Sequence, residues 1–184
     1  FSPEEITLSN AELSLTFSSA GATLTSAALA DYHTYDDTTK TEALDLIKGN
    51  GQVFDIRLPD GSALSAKKFE VIASSSRSLV FSDGTTKVSI ELSEVGYDYS
   101  FIVSGTAESS GKPEIYWERS AQRTEKGITT ERQYSSFVYQ LNEDGDVEHL
   151  AGRGSDKSKT TEPINWLAQK QRFFSLIIHP EQGF

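Results

Sequence analysis

Residues 79–92 read LVFSDGTTKVSIEL, and the fold class follows from how that stretch alternates. Leu79, Val80 and Phe81 run into Asp83-Gly84, and beyond the break Val88, Ile90 and Leu92 alternate with Lys87, Ser89 and Glu91. A period of two places one apolar face on each strand. Asp-Gly between two such runs marks a hairpin, because glycine accepts the positive φ that a tight turn demands. Working outward, Phe69, Val71 and Ile72 supply a strand before it. Gly96 leads into Tyr97, Tyr99, Phe101 and Val103 after it. Four strands joined by short turns predict an antiparallel meander.

The same pattern extends towards both ends. Ile6 and Leu8, then Leu13, Leu15 and Phe17, alternate with Ser and Thr; Gly21 interrupts, and residues 23–29 (TLTSAAL) read as another strand. Residues 31–41 (DYHTYDDTTKT) form a polar loop with clustered acids, followed by a short apolar return at Leu44, Leu46 and Ile47. Val53, Ile56 and Leu58 precede Pro59-Asp60-Gly61, a turn in which Pro presets φ and Gly accepts positive φ. A Ser/Gly-rich break at residues 105–113 separates the meander from Ile115, Tyr116 and Trp117. After a polar stretch at residues 119–132, Phe137, Val138 and Tyr139 read as a strand. Residues 142–146 (NEDGD) read as a turn, and residues 152–161 (GRGSDKSKTT) as a loop. One segment predicts a helix. Thr161, Glu162 and Pro163 suit a helix start, and Trp166, Lys170 and Phe173, with Leu167, Gln171 and Phe174, repeat at i, i+4, i+7. The expectation is about two turns packed on the sheet by Trp166 and Phe173, feeding a buried strand at residues 173–178 (FFSLII).

The chain has 184 residues, a length that predicts one β-sandwich domain over residues 1–184. With 17 Lys+Arg against 27 Asp+Glu it carries a formal charge of −10. A surface of that sign repels phosphate backbones and anionic headgroups, which argues against nucleic-acid binding and against attachment to a membrane through a basic patch. No cysteine is present, so disulfides, thiolate metal sites and thiol nucleophiles are excluded. Methionine is absent too, including at position 1, and the expectation is a piece of a longer protein. No run approaches the ~18 apolar residues of a membrane span, so any anchor is expected outside these residues.

Few residues point to chemistry. His33, His149 and His179 are scattered and lie in no metal-binding spacing. Asp36, Asp37, Asp45 and the NEDGD turn offer carboxylates, but Glu148 falls too close to Gly145 for a calcium loop, and solvated turns are the expectation. Phosphate-binding glycine motifs and GxSxG are absent. No metal and no cofactor is expected. Tyr32, Tyr35, Tyr97, Tyr99, Trp117, Tyr134, Tyr139 and Trp166 are candidates to line a groove, although aromatic residues on strands more often serve packing.

Two stretches resemble the YidC family of bacterial membrane protein insertases. Residues 13–35 (LSLTFSSAGATLTSAALADYHTY) are similar to the entry into that family's periplasmic domain, with Phe17, Gly21, Leu24, Leu29, Tyr32 and Tyr35 carrying the likeness. Residues 166–178 (WLAQKQRFFSLII) are similar to a segment near that domain's end, through Trp166, Ala168, Lys170, Gln171, Phe173 and Phe174. The resemblance, of a Bacteroidetes-like kind, implies a mainly β fold. It would be a twisted antiparallel sandwich of the supersandwich type, like galactose mutarotase, with one short helix near the C-terminus. It also implies a non-catalytic periplasmic domain of an inner-membrane protein, anchored by helices outside this chain. Such a domain would support insertion, chaperone-like, by docking to accessory subunits of the Sec translocon or to nascent membrane proteins. The alternative on the same sandwich is a carbohydrate-binding or aldose-epimerase-like protein, for which His149 or His179 with Glu148 or Glu181 would supply acid–base chemistry.

Overall fold

The computed structural model describes residues 1–47, 52–105, 112–120, 123–142, 145–151 and 157–181. The chain forms two compact units, Phe1–Gln122 and Arg123–Phe184.

In the first unit, β1 (Glu5–Ser9), β2 (Leu13–Ser18), β3 (Thr23–Leu29) and β4 (Leu44–Asp45) make an antiparallel sheet in chain order. Leu8 stands opposite Leu15, and Ile6 opposite Phe17. The alternation read from the sequence thus puts Leu8, Leu13, Leu15 and Phe17 on one buried face. Strand β5 (Gln52–Arg57) stands apart and pairs with a strand described below. The predicted meander follows as β6 (Glu70–Ser74), β7 (Ser78–Ser82), β8 (Lys87–Leu92) and β9 (Tyr99–Ser104), again in chain order and antiparallel. Leu79, Ile90 and Phe101 align across three of its strands, as do Phe81, Val88 and Val103. At the β7–β8 turn Gly84 takes φ +88. The Asp83 carboxylate accepts the N–H groups of Thr85 and Thr86 and the Lys67 ammonium at 2.9 Å.

The apolar faces of the two four-stranded sheets meet. Phe17 of β2 and Tyr99 of β9 touch edge to face at 6.0 Å between ring centroids, and Phe69 lies 6.2 Å from Phe81. Each fully buried aromatic or aliphatic side chain of this layer contributes about 1.5–3 kcal/mol through burial. β10 (Glu114–Arg119) pairs with β5 in a two-stranded ribbon, and Phe54 of that ribbon meets Phe101 at 6.3 Å. The Arg119 guanidinium donates to the Leu46 carbonyl at 2.6 Å.

The second unit holds the single α-helix among the described residues, α1 (Ile128–Tyr134); the first has one 3-10 turn, Leu64–Ala66. Its sheet has the order β12-β11-β13-β14, from β11 (Ser136–Leu141), β12 (Val147–Ala151), β13 (Ile164–Lys170) and β14 (Ser175–Ile178). Among the described residues the chain is therefore mainly β with open antiparallel sheets, no closed barrel and one α-helix, in line with the mainly β class the sequence implied.

The helix, however, is not where the spacing placed it. Residues predicted helical form β13, paired with β11 on one side and β14 on the other. A short apolar run satisfies both periods, and here two neighbouring strands complete its backbone hydrogen bonds. Consequently Phe173 does not pin a helix to a sheet. It lies in the β13–β14 turn and is 60% exposed. The strand after it is an edge rather than a buried core strand, with Ile177 63% exposed. The NEDGD turn lies partly outside the described residues, at positions 143 and 144; the 105–113 break and the 152–161 loop do so in large part.

Candidate functional site

At one end of the first unit, two turns are tied together by a single side chain. Asn10 follows β1, and its carboxamide oxygen accepts the N–H groups of Glu12 and Leu13, an Asx arrangement that turns the chain into β2. Its amide nitrogen donates to the carbonyls of Ser93 and Gly96, both at 2.9 Å. The β1–β2 turn therefore holds the β8–β9 turn, and the Gly96 N–H reaches the Glu12 carboxylate at 3.3 Å.

Beside this junction stands the loop of residues 30–43. The Leu44 N–H donates to the Tyr32 carbonyl at 2.6 Å, closing the loop at its base. Inside it, the Asp37 carboxylate accepts the N–H groups of Thr39, Thr41 and Glu42 and the Thr39 hydroxyl. Those donors, the Glu42 N–H foremost, hold the Asp37 carboxyl at a pKa of about 2. His33 Nδ1 lies 2.7 Å from the Glu42 carbonyl oxygen, so this histidine serves the loop.

Tyr32 and Tyr97, from different loops, come close enough for the Tyr32 phenol to act on that of Tyr97. The Tyr97 phenol is pushed up from its ordinary pKa, first by desolvation and then by Tyr32, Asp31 and Glu12. Tyr32 is 44% exposed, with Tyr35, Tyr97 and Val95 exposed as well. Tyrosines of this kind, ordered by their loops and open to solvent, offer large contact area at small entropy cost. Carboxylates of Glu12 and Asp31 accompany Tyr97.

The remaining candidate residues serve other purposes. Phe17 is core. Gly21 takes φ +74 in the β2–β3 turn, where its N–H donates to the Lys67 carbonyl and a Cβ would stand 2.7 Å from the Ser65 Cα. Only glycine meets both conditions without strain. In the second unit, the Trp166 indole N–H donates to the Gln140 carboxamide at 2.8 Å across the β11–β13 pair. Lys170 ends β13 opposite Ser136 and Ser175. Gln171 is buried. Its N–H closes the turn onto the Phe174 carbonyl, and its side-chain amide donates to Glu131 at 3.3 Å. Glu131, also buried, further accepts the Thr124 N–H and hydroxyl. Phe174 is half-buried.

The eight aromatic candidates do not assemble into one groove. Tyr32 and Tyr97 pair at the loop end, with Tyr35 in the same loop, whereas Tyr99 packs on Phe17 and Trp117 stands opposite Phe54. Tyr134, Tyr139 and Trp166 belong to the second unit, where the Tyr139 hydroxyl meets Ser158 Oγ at 2.8 Å. Glu148 and His149 are successive residues of β12, so their side chains leave opposite faces of the strand and cannot address one sugar together. Asp45 accepts from the Ser26 hydroxyl and the N–H groups of Ala27 and Ile47. Among the described residues, no three His, Asp or Glu side chains are grouped to hold a metal ion. A shallow depression of about 470 Å³ lies on the first sheet, lined by residues including Glu5, Thr16, Ser26, Glu42 and Asp45. Sequence reasoning singled out Tyr32, Tyr35 and Tyr97 but missed Asn10, whose signal was a lone Asn between two strands.

Fold and surface together define a mainly β module with ordered, exposed tyrosines at a loop end. The proteins it is similar to are bacterial insertases of Bacteroidetes. In an alignment of 191 positions that covers 95% of the chain, it is 26% identical to the membrane protein insertase YidC of Porphyromonas gingivalis. In one of 196 positions that covers 97% of the chain, it is 25% identical to that of Phocaeicola vulgatus. A 94-residue stretch is 32% identical to the YidC of Bacteroides fragilis. The chain spans 30% of the length of the first two and the matched stretch 15% of the third. No protein-family model matches the chain, and no solved structure does.

Proposed function

We propose that this chain is the periplasmic part of an inner-membrane insertase and that it supports membrane protein insertion without performing it. The observation that carries this reading is the extent of the similarity. Relatives named as insertases match 95–97% of the chain, yet the chain corresponds to only 30% of their length. Among the described residues, no helix is long and apolar enough to cross a membrane. On this reading the spans lie in the other part of the protein, and this part offers a docking surface.

The tyrosine-bearing loop end is the proposed contact for accessory subunits of the Sec translocon or for nascent membrane proteins. Aromatic anchors with a polar rim are the usual make-up of such contacts. A photo-crosslinking amino acid placed at Tyr97 of the full-length protein in cells tests it. The expected product joins position 97 to a translocon subunit or a nascent chain, and the same probe at Ile72, exposed on β6, gives none. Equal products at both positions, or none at 97, contradict the reading.

A further inference from the structure

We propose that the β13–β14 hairpin tip is a contact for the anionic surface of a phospholipid bilayer. The tip is built from Gln171, Arg172, Phe173 and Phe174, closed by the Gln171 N–H on the Phe174 carbonyl. Turns of this kind normally carry Gly, Pro, Asn, Asp or Ser at their central positions. Here those positions hold Arg172 and Phe173, and Phe173 projects with 60% of its surface exposed. The Arg172 guanidinium lies 4.8 Å from the Phe173 ring centroid and 5.8 Å from that of Tyr134, itself 52% exposed. Arginine between two exposed rings is a preordered cationic and aromatic element.

Topology gathers more positive charge at this end of the sheet. Lys170 stands opposite Ser136 and Ser175, and Ser136 opens β11 directly after α1, whose last turn carries Arg132. Arg132, Lys170 and Arg172 are all exposed, and among the described residues none is in an ion pair. The carboxylate closest in these contacts, Glu131, is buried beneath the turn against Gln171 and Thr124, and offsets only part of that charge. The overall charge of −10 conceals the asymmetry. Residues 1–122 hold 18 acidic against 9 basic side chains, and residues 123–184 hold 9 against 8. Charges beyond a Debye length of about 8 Å at physiological salt are largely screened, so the local cluster governs what this tip meets.

A protruding tip favours a bilayer over a peptide. Its ring is presented outward on a turn, where a headgroup layer can receive it, and Phe, Tyr, Arg and Lys together are the residues that settle at a membrane interface. Each cation near an anionic surface strengthens partitioning by about fivefold. The inference goes beyond the docking role proposed above and does not depend on the tyrosine end of the other unit.

Co-sedimentation of the 184-residue chain with vesicles tests it. The chain is expected to bind phosphatidylglycerol–phosphatidylcholine vesicles, to ignore pure phosphatidylcholine, and to be released by added salt. Arg172→Glu and Phe173→Ser should each weaken binding by about fivefold or more. Arg77→Glu, the same charge change in the first unit, should leave it unaltered. No binding to the anionic vesicles overturns the proposal, as does binding indifferent to the two tip variants or equal on neutral lipid. Retention on immobilised polyglutamate without vesicle binding also overturns it, in favour of an acidic protein partner.

Discussion

Gly21 shows how one residue couples a turn to the packing beside it. At φ +74, a side chain is strained, and a Cβ would also press on the Ser65 backbone at 2.7 Å. Gly21→Ala should therefore destabilise the chain by about 2–4 kcal/mol in denaturant titration, the sum of left-handed strain and local overpacking. Asp37 makes a second residue-scale case, because its carboxylate organises the loop that carries Tyr32 and Tyr35. Its pKa of about 2 stands below the ordinary 3.8, so the folded loop favours the ionised form. The stabilisation is present above pH 3.8 and is lost as the pH falls through about 2. A carbon-13 titration of the Asp37 carboxyl should give a midpoint near 2, and a midpoint at 3.8 would mean that the loop bonds do not persist in solution. The sequence marked Gly21 as a break between strands and left Asp37 among clustered acids. The role of each depends on groups that its local sequence does not name, Ser65 for one and the turned-back N–H groups for the other.

At the scale of elements, the meander was legible because its strands alternate and its turns contain Asp-Gly and Gly. Leu79 to Leu92 could not bury one face as a helix. Residues 161–178 were not legible in the same way. WLAQK carries apolar groups on both faces of β13, an inner strand of its sheet, and a run without alternation fits a helix as well as a strand. The true helix was hidden in a polar stretch. Among its residues only Glu131 is buried, and its carboxylate binds Thr124 and Gln171. The strand assignment changes what mutations should do. Trp166 is half-buried and hydrogen-bonded to Gln140, so Trp166→Ala should cost about 2–3 kcal/mol, below the 3–5 of a fully buried aromatic. Phe173→Ala, at an exposed turn, should fall within about 0.5 kcal/mol of the parent. A helix packed on a sheet would instead make both changes costly, and chemical denaturation of the two variants separates the alternatives.

For the molecule as a whole, the two units differ in what holds them together. Among the described residues, the fully buried Leu8, Leu15, Phe17, Phe69, Leu79, Phe81 and Val88 all lie in the first unit. The buried apolar side chains of the second are Tyr139 and Ala168, beside the buried polar groups Thr124, Glu131, Gln169 and Gln171. Hydrogen exchange should accordingly show the amides of β2, β7 and β8 opening at higher free energy than those of β11 and β13. Uniform protection across both would contradict this division. The acidic surface, the dominance of strands and the likeness to insertases were readable from residues alone; the loop end and the hairpin tip required the chain to be folded, because each joins segments far apart in sequence. The central claim is that this part of the protein assists insertion and does not carry it out. Deleting residues 1–184 from the full-length protein, in cells that depend on it, and following a pulse-labelled membrane substrate tests that claim most directly. The account predicts slowed but continuing insertion. Complete loss with the remaining protein at normal abundance, or no change at all, would contradict it.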